Sequence, residues 1–175
     1  RETKAEGSFT QRFFVEMWGY EEDGKGKTGF HLDSKFAVKG AGQTGGKGEA
    51  DLAIGNFGGG RAHVPQILCE FKHMTKAGLD APQHRKGNSR SPVQQAQDYL
   101  WGARRGVALN APVQPRFAIV TDMNEFRLYS ADSMPDRYLR FKIAGDDLFD
   151  QVNMLGNDEV AQFDRFLFWR MFQPD

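Results

Sequence analysis

Cysteine is almost absent from this chain of 175 residues, in which Cys69 is the single example. One thiol cannot form an internal disulfide, and its place inside an apolar segment predicts a small buried side chain in a reducing compartment. Apolar runs of membrane-spanning length are also missing, and no signal peptide pattern is visible. We therefore expect a cytoplasmic protein that does not enter a membrane.

Net charge is missing as well, because 23 Lys and Arg residues balance 23 Asp and Glu residues. Without a global basic field, binding to nucleic acid would depend on a local patch or on further parts of a larger protein. The length suits one globular domain with a real core. Since the chain starts with Arg1 rather than methionine, we expect either a processed chain or, as the favoured interpretation, a segment of a longer polypeptide.

The first 20 residues show the apolar spacing of a helix, and the residues after them show the alternation of strands. A helix is predicted from Ala5 to Tyr20, with Phe9, Phe13, Glu16 and Tyr20 on one face. Strands are predicted at 31–38, 49–55 and 61–72, with the last two paired as a hairpin. A glycine-rich loop at 39–48 separates the first two strands.

The second half of the chain alternates in the same way. After a basic loop at 73–90, Ser91 and Pro92 predict the start of a helix that runs to about Gly106. Strands are predicted at 116–121, 125–130 and 138–143, and helices at 146–154 and 158–172. This order predicts an α/β domain with a central mixed β-sheet flanked by helices.

Acidic and basic residues lie in two neighbouring predicted strands. Glu70 and Lys72 are two residues apart, so their side chains point to the same face of their strand. Asp51 lies in the preceding predicted strand, where it ends a Glu-Ala-Asp alternation, with 18 residues between it and Glu70. Carboxylates suit Mg²⁺, and a lysine beside them can stabilise phosphate charge during phosphodiester cleavage. A structural alternative stays open, in which Glu70 and Lys72 only form an ion pair at a sheet edge.

The helix after the basic loop adds two polar residues. Gln95 and Tyr99 are neighbours at positions i and i+4 on the shoulder of its apolar stripe. They can donate hydrogen bonds to a phosphate or to a water while the helix packs on the sheet. They can equally be ordinary residues at the border of an amphipathic helix.

Taken together, Asp51, Glu70-Phe71-Lys72 and Gln95-Ala96-Gln97-Asp98-Tyr99 resemble the PD-(D/E)xK nuclease superfamily, in its RecB-like branch with a Gln-x-x-x-Tyr motif. Glu2-Thr3 ahead of Phe13-Phe14, and the segments 50–52, 115–122 and 125–129, are similar to the amino-terminal region of type IIG and IIL restriction-modification enzymes. In that family one polypeptide joins a nuclease domain, a helical linker, an adenine methyltransferase and a target-recognition domain.

The resemblance covers roughly residues 1–143, which we interpret as a nuclease core of the restriction-endonuclease type. Residues 144–175 would be carboxyl-terminal helices of the same domain that lead to the linker and methyltransferase. The resemblance implies a metal-dependent deoxyribonuclease that uses Mg²⁺, with Mn²⁺ as a substitute. It implies these roles: metal ligands Asp51, Glu70 and the backbone carbonyl of Phe71, a water-orienting and charge-stabilising Lys72, and accessory residues Gln95 and Tyr99.

Two details complete what the resemblance implies about the site. The related branch places an acid of the first helix there, and Glu6 is our choice, with Glu2 and Glu16 as rivals. Ala50 stands before Asp51, where the superfamily's name has proline. Many members lack that proline.

Double-stranded DNA is the expected substrate, held through its backbone. The residues expected to contact phosphates are Lys76, Arg85, Lys86, Arg90, Arg104 and Arg105. No segment resembles a base-reading element, so sequence choice is expected to reside in the methyltransferase and target-recognition domains. A transient homodimer on DNA is also expected, because cutting both strands with one such site usually needs a second copy.

Other functions remain open or are excluded. One alternative is a DNA-binding or interaction module without cleavage, and another is a free-standing repair or recombination nuclease that acts at DNA ends. Four scattered histidines and one cysteine do not match the short ligand spacing of a zinc site. The glycine-rich segment 40–48 lacks the Gly-Lys-Ser/Thr ending of a phosphate-binding loop.

Overall fold

The structure is a computed structural model that describes residues 2–24, 28–42, 44–72, 78–82 and 89–142, without the side chains of residues 2–5, 141 and 142. Helix α1 spans Glu2–Phe9 and continues as a π-helical segment, Thr10–Met17, and helix α2 spans Pro92–Arg105. The strands are β1 Phe30–Val38, β2 Gly48–Phe57, β3 Ile67–Phe71, β4 Phe117–Thr121, β5 Glu125–Ser130 and β6 Tyr138–Lys142. The helices predicted at 146–154 and 158–172 lie outside the described residues.

The strands form one six-stranded sheet in the order β1-β2-β3-β4-β5-β6. Strands β3 and β4 are parallel, and every other neighbouring pair is antiparallel. A parallel pair needs a crossover connection, and α2 lies in the one that joins β3 to β4. The predicted mixed sheet with helices packed on it is therefore confirmed, as is the hairpin between β2 and β3.

The two faces of the sheet are buried by different helices. Ile67, Cys69 and Phe71 of β3 pack in an aromatic cluster with side chains from α1 and the π-helical segment. Leu68, from the opposite face of the same strand, packs with Tyr99 of α2. The alternation expected for a strand buried on both faces therefore holds, and Cys69 is fully buried as predicted.

The first helix departs from the predicted helical face. Between Thr10 and Met17 the backbone is π-helical, so hydrogen bonds run from i to i+5, as in the 3.0 Å bond from Trp18 N–H to the Phe13 carbonyl. This longer period buries Phe14 rather than Glu16 and leaves Met17 55% exposed. The α-helical spacing used in the sequence prediction was therefore wrong from Thr10 onward.

The predicted strand at 61–72 is shorter in the structure. Only Ile67–Phe71 form β3, and the preceding residues connect it to the turn after β2. Pro65 lies in that connection, and its missing N–H cannot join a sheet ladder. Strand β2 is longer than predicted, because Asn56 and Phe57 belong to it, and the turn is made by Gly58–Gly60 with positive φ.

Helix α2 begins where the sequence predicts. Ser91 accepts a 3.1 Å hydrogen bond from the Gln94 N–H, and the Gln94 side chain accepts a 2.8 Å bond from the Ser91 N–H. Pro92 occupies the first turn, where its missing donor has no cost. A Cβ on Gly102 would lie 2.8 Å from Val38 Cγ1, so this glycine lets α2 approach β1 closely.

Polar contacts tie the segment before α2 to the sheet. The Arg127 guanidinium of β5 binds both carboxylate oxygens of Asp80, at 2.9 and 2.8 Å. Arg127 also lies 4.7 Å from the ring centroid of Tyr138 on β6. Among the described residues, no helix is long and apolar enough to cross a membrane.

Candidate functional site

Asp51 and Glu70 meet across the β2–β3 hairpin. The antiparallel register pairs Leu52 with Cys69, and its continuation by one residue places Asp51 opposite Glu70. Asp51 Oδ2 accepts a 2.8 Å hydrogen bond from the Phe71 N–H, which fixes the aspartate against the end of β3. The two carboxylates predicted as metal ligands are thus brought together by adjacent strands.

Lys72 and Glu70 form an ion pair on the α2 side of the sheet, as their spacing predicts. The Glu70 side chain is 3% exposed and that of Lys72 is 14% exposed. Burial and the charge of Asp51 nevertheless raise the pKa of Glu70 to about 7, because Lys72 only partly opposes them. The ion pair of the structural alternative is therefore present, but the raised pKa indicates that it only partly stabilises the charged form of Glu70.

A third carboxylate reaches the same place from the first helix. Glu6 Oε2 lies 3.0 Å from the Lys35 ammonium, which also lies 2.6 Å from Asp51 Oδ1. One lysine of β1 thus connects the acid chosen from α1 to the aspartate of β2. Of its rivals, Glu16 is exposed and accepts a 3.5 Å hydrogen bond from Gln11. The Glu2 side chain is not among the side chains that the structure describes.

Lys35 is the residue of this site that the sequence did not indicate. It lies between Ser34 and Phe36, which pair with Leu52 and Ala50, so it faces Asp51 across the β1–β2 ladder. Its φ is 55°, an unusual value for a lysine in a strand. A single lysine in an alternating segment gives no signal of such a contact, because its partners are distant in sequence.

Helix α2 brings Tyr99 to the acidic end of β2 and β3. The Tyr99 side chain is buried, and burial together with the charges of Glu70 and Asp51 raises its pKa well above the usual range. A Cβ on Gly48 would lie 2.9 Å from Tyr99 Cε1, so the glycine makes room for the ring at the start of β2. Gln95 is buried one turn earlier, and its amide donates a 3.4 Å hydrogen bond to the Ser91 carbonyl.

The expected phosphate-binding residues fall into two groups. Lys76, Arg85 and Lys86 lie outside the described residues. Arg90 binds Asp98 at 2.6 Å and the Ala41 carbonyl at 3.0 Å, so its guanidinium holds α2 to the β1–β2 turn.

The remaining two arginines lie at the end of α2. Arg104 lies over the Trp101 ring, 5.5 Å from its centroid, with Asp132 3.4 Å away. Arg105 is exposed beside the β1–β2 turn, since a Cβ on Gly40 would lie 3.6 Å from its guanidinium. Their contact with DNA stays a prediction.

The donor atoms at the site fit a hard divalent cation. No group of three or more His, Cys, Asp or Glu side chains in the described part of the chain is arranged to hold a metal ion. Magnesium, however, is usually bound through one or two carboxylates and keeps several waters. Asp51 and Glu70 would supply the carboxylates, and the Phe71 carbonyl a further oxygen. Their carboxylate charge is what such a cation would neutralise.

Comparisons with known proteins give no further guide. No protein-family model, no curated protein and no solved structure matches this chain.

Proposed function

We propose that this chain is a Mg²⁺-dependent DNA endonuclease module with a PD-(D/E)xK core. The observation that carries the proposal is the meeting of Asp51 and Glu70 on neighbouring strands, with Lys72 on the same face as Glu70. Tyr99 reaches the same acidic end from α2, so side chains from all three motif segments lie near one another. Order and spacing in sequence do not by themselves require this convergence.

Each side chain has a role that its environment supports. A divalent cation held by Asp51 and Glu70 would supply positive charge at the scissile phosphate and acidify a water. Lys72 is nearly buried, so its ammonium acts in a medium where charge is poorly screened and stabilises the negative charge that develops on the phosphate. The Tyr99 hydroxyl stays protonated at neutral pH and can donate a hydrogen bond to a phosphate oxygen.

The arrangement of the sheet supports the same proposal. The β2–β3 hairpin carries both acids, and α2 then crosses over to the parallel strand β4. Polar residues of β2, β3 and α2 therefore lie at one end of the sheet. In open α/β sheets, ligands commonly bind outside the carboxyl ends of the strands. Glu6 adds the acid of the first helix through Lys35.

The proposal extends to the larger protein. With balanced charge, the chain has no general attraction for DNA, so we propose that methyltransferase and target-recognition domains of the same polypeptide supply sequence choice. We further propose a cytoplasmic location and a transient homodimer on double-stranded DNA. Mn²⁺ is expected to replace Mg²⁺.

The test is plasmid cleavage by the natural polypeptide that carries these residues, with Mg²⁺ or Mn²⁺. The variants are Asp51→Ala and Lys72→Ala, each expected to lower the cleavage rate by about a hundredfold or more, because each removes charge stabilisation from the transition state. The matched control is Glu49→Gln, which removes a charge from an exposed position on the same strand as Asp51.

The outcomes separate the functions that remain open. If both variants cut supercoiled plasmid at the wild-type rate, this site is not the cleavage centre. If DNA is bound but never cut under any metal condition, a non-catalytic DNA-binding module replaces the nuclease. Progressive degradation of linear DNA with closed circles left intact would indicate an end-dependent repair nuclease instead.

A further inference from the structure

We propose that the Lys35 ammonium is a built-in counter-ion of the cation site and that a divalent cation binds by displacing it from Asp51 and Glu6. The inference rests on the proposed function only in assuming that Asp51 is a metal ligand. According to this inference, Lys35, which lies outside the motif, controls the affinity of the site for a divalent cation. Three observations support it: the backbone conformation at Lys35, the pairing of charges among the acidic and basic side chains of the site, and the exposure of the Lys35 side chain.

The backbone places Lys35 beside Asp51 and Glu6 by breaking the strand alternation. Leu32 packs in the cluster on the α1 side of the sheet, whereas Phe36 and Val38 pack in the cluster on the α2 side. All three have even numbers, so a regular strand would put them on one face. The switch occurs around Lys35, where φ is 55°. A non-glycine residue held in this region is strained, and such strain is concentrated at functional sites.

The charge balance identifies what Lys35 replaces. Glu6, Asp51 and Glu70 bring negative charge, and Lys72 is already paired with Glu70. Lys35 is therefore the cation that Glu6 and Asp51 share. Its ammonium lies 2.6 Å from Asp51 Oδ1 and 3.0 Å from Glu6 Oε2, so one lysine makes both ion pairs.

The exposure of the two lysines distinguishes their roles. The Lys35 side chain is 40% exposed, whereas that of Lys72 is 14% exposed. A long lysine side chain at the rim can swing its ammonium into water at little cost while its methylene groups stay in contact with the protein. Lys72 has less access to solvent and remains beside Glu70. Displacement by a divalent cation therefore falls on Lys35.

The experiment is a calorimetric titration of the 175-residue chain with Mn²⁺ and, separately, with Ca²⁺. Lys35→Met removes the competing charge, so we expect the divalent cation to bind about tenfold tighter than to the wild type. Lys35→Asn is a second variant with the same expectation, because asparagine tolerates positive φ and protects the fold. Lys35→Arg keeps the charge and should bind within about twofold of the wild type.

Two controls make the result specific. Lys39→Met removes an equal charge from an exposed position just beyond β1 and should leave the affinity unchanged. Adding Asp51→Asn to Lys35→Met should abolish the gain, since it removes the shared ligand.

Each result bears on one proposal. Equal or weaker cation binding by both Lys35→Met and Lys35→Asn overturns the role of Lys35, as does the absence of binding in the wild type and both variants. Tight binding by the wild type without DNA cleavage overturns only the nuclease. The two proposals can therefore fail separately.

Discussion

At the scale of one residue, Glu70 is a buried carboxylate whose proposed role as a metal ligand would come at a cost to stability. The strand that carries it is otherwise apolar, and its neighbours Cys69 and Phe71 are buried in the aromatic cluster. A carboxylate in that strand loses its hydration and faces a second carboxylate, Asp51. Lys72 offsets only part of the cost, as the raised pKa of Glu70 indicates.

Neutralising this residue should therefore stabilise the metal-free protein. We expect Glu70→Gln, in the presence of a chelator at pH 8, to increase the free energy of unfolding by about 1 kcal/mol, because a neutral amide has a smaller burial cost and no repulsion from Asp51. Denaturant unfolding followed by circular dichroism measures the change. The same variant should lose divalent-cation binding.

Glu49→Gln is the matched control, since Glu49 is exposed two residues before Asp51. Its free energy of unfolding should change by less than about 0.5 kcal/mol. A Glu70→Gln variant less stable than the wild type would show that the Glu70–Lys72 pair is a net stabilising contact. The interpretation of Glu70 as a functional residue held at a cost would then be wrong.

Part of this site could be read from the sequence because it depends on local rules. Strand alternation places Glu70 and Lys72 on one face, and helical spacing places Gln95 and Tyr99 one turn apart. Lys35 could not be predicted, because its role depends on a positive φ and on partners 29 and 16 residues away. Neither leaves a periodic trace in the sequence.

At the scale of elements, the edge of the sheet is held by charged pairs rather than by apolar contacts alone. Glu125 of β5 accepts a 2.5 Å hydrogen bond from Arg127 Nε and a 2.9 Å bond from Arg140 on β6. The register places Arg127 opposite Arg140, so the two guanidiniums would repel each other without a shared carboxylate. Glu125 thus joins the edge strand to the rest of the sheet.

The ion pairs of Glu125 with Arg127 and Arg140 should make the free energy of unfolding decrease as the pH falls into the acid range. Burial would raise the pKa of Glu125, but the hydrogen bonds from Arg140 and Arg127 outweigh it and lower the pKa below 4.5. A lowered pKa in the folded state stabilises the fold above the unfolded pKa, and this stabilisation is lost as the pH falls through the folded pKa. We expect Glu125→Gln to lower the free energy of unfolding at pH 7 by about 1 kcal/mol.

The measurement is denaturant unfolding at pH 7 and in steps below pH 4.5, in which the difference between wild type and Glu125→Gln should shrink as the acid range is entered. Asp136→Asn, an exposed position in the turn before β6, is the control and should track the wild type throughout. A difference that stays constant with pH would contradict the electrostatic explanation.

Elements differ in how far sequence predicts them. The start of α2 was predictable because Ser91 and Pro92 satisfy the orphan groups of its first turn in a local pattern. The π-helical segment was not, because it is set by how Phe14 and Trp18 pack into the aromatic cluster. The predicted strand began at Arg61, but residues 61–66 stay outside β3, and Pro65 among them has no N–H for a ladder hydrogen bond.

At the scale of the whole molecule, the balanced net charge means that any contact with DNA would depend on local basic residues. A chain without net charge has no long-range attraction for DNA, so the proposed attachment to DNA would depend on local basic residues such as the arginines near the site. Arg90 is already bound to Asp98 and the Ala41 carbonyl, and Arg104 has Asp132 3.4 Å away. Arg105, exposed beside the same β1–β2 turn, is the described arginine best placed to reach a phosphate.

Salt dependence of DNA binding tests this arrangement. With Ca²⁺ in place of Mg²⁺ to prevent cleavage, Arg105→Ala should weaken binding equally for unrelated duplex sequences, because a phosphate contact carries no sequence information. It should also reduce the slope of log affinity against log salt by about 0.9, the value for one lost phosphate contact. Arg137→Ala is the control, because it removes an exposed arginine beside β6, at the opposite edge of the sheet from β1. If Arg137→Ala lowers the slope as much as Arg105→Ala does, DNA attraction is spread over the surface, and the end of α2 is not its contact point.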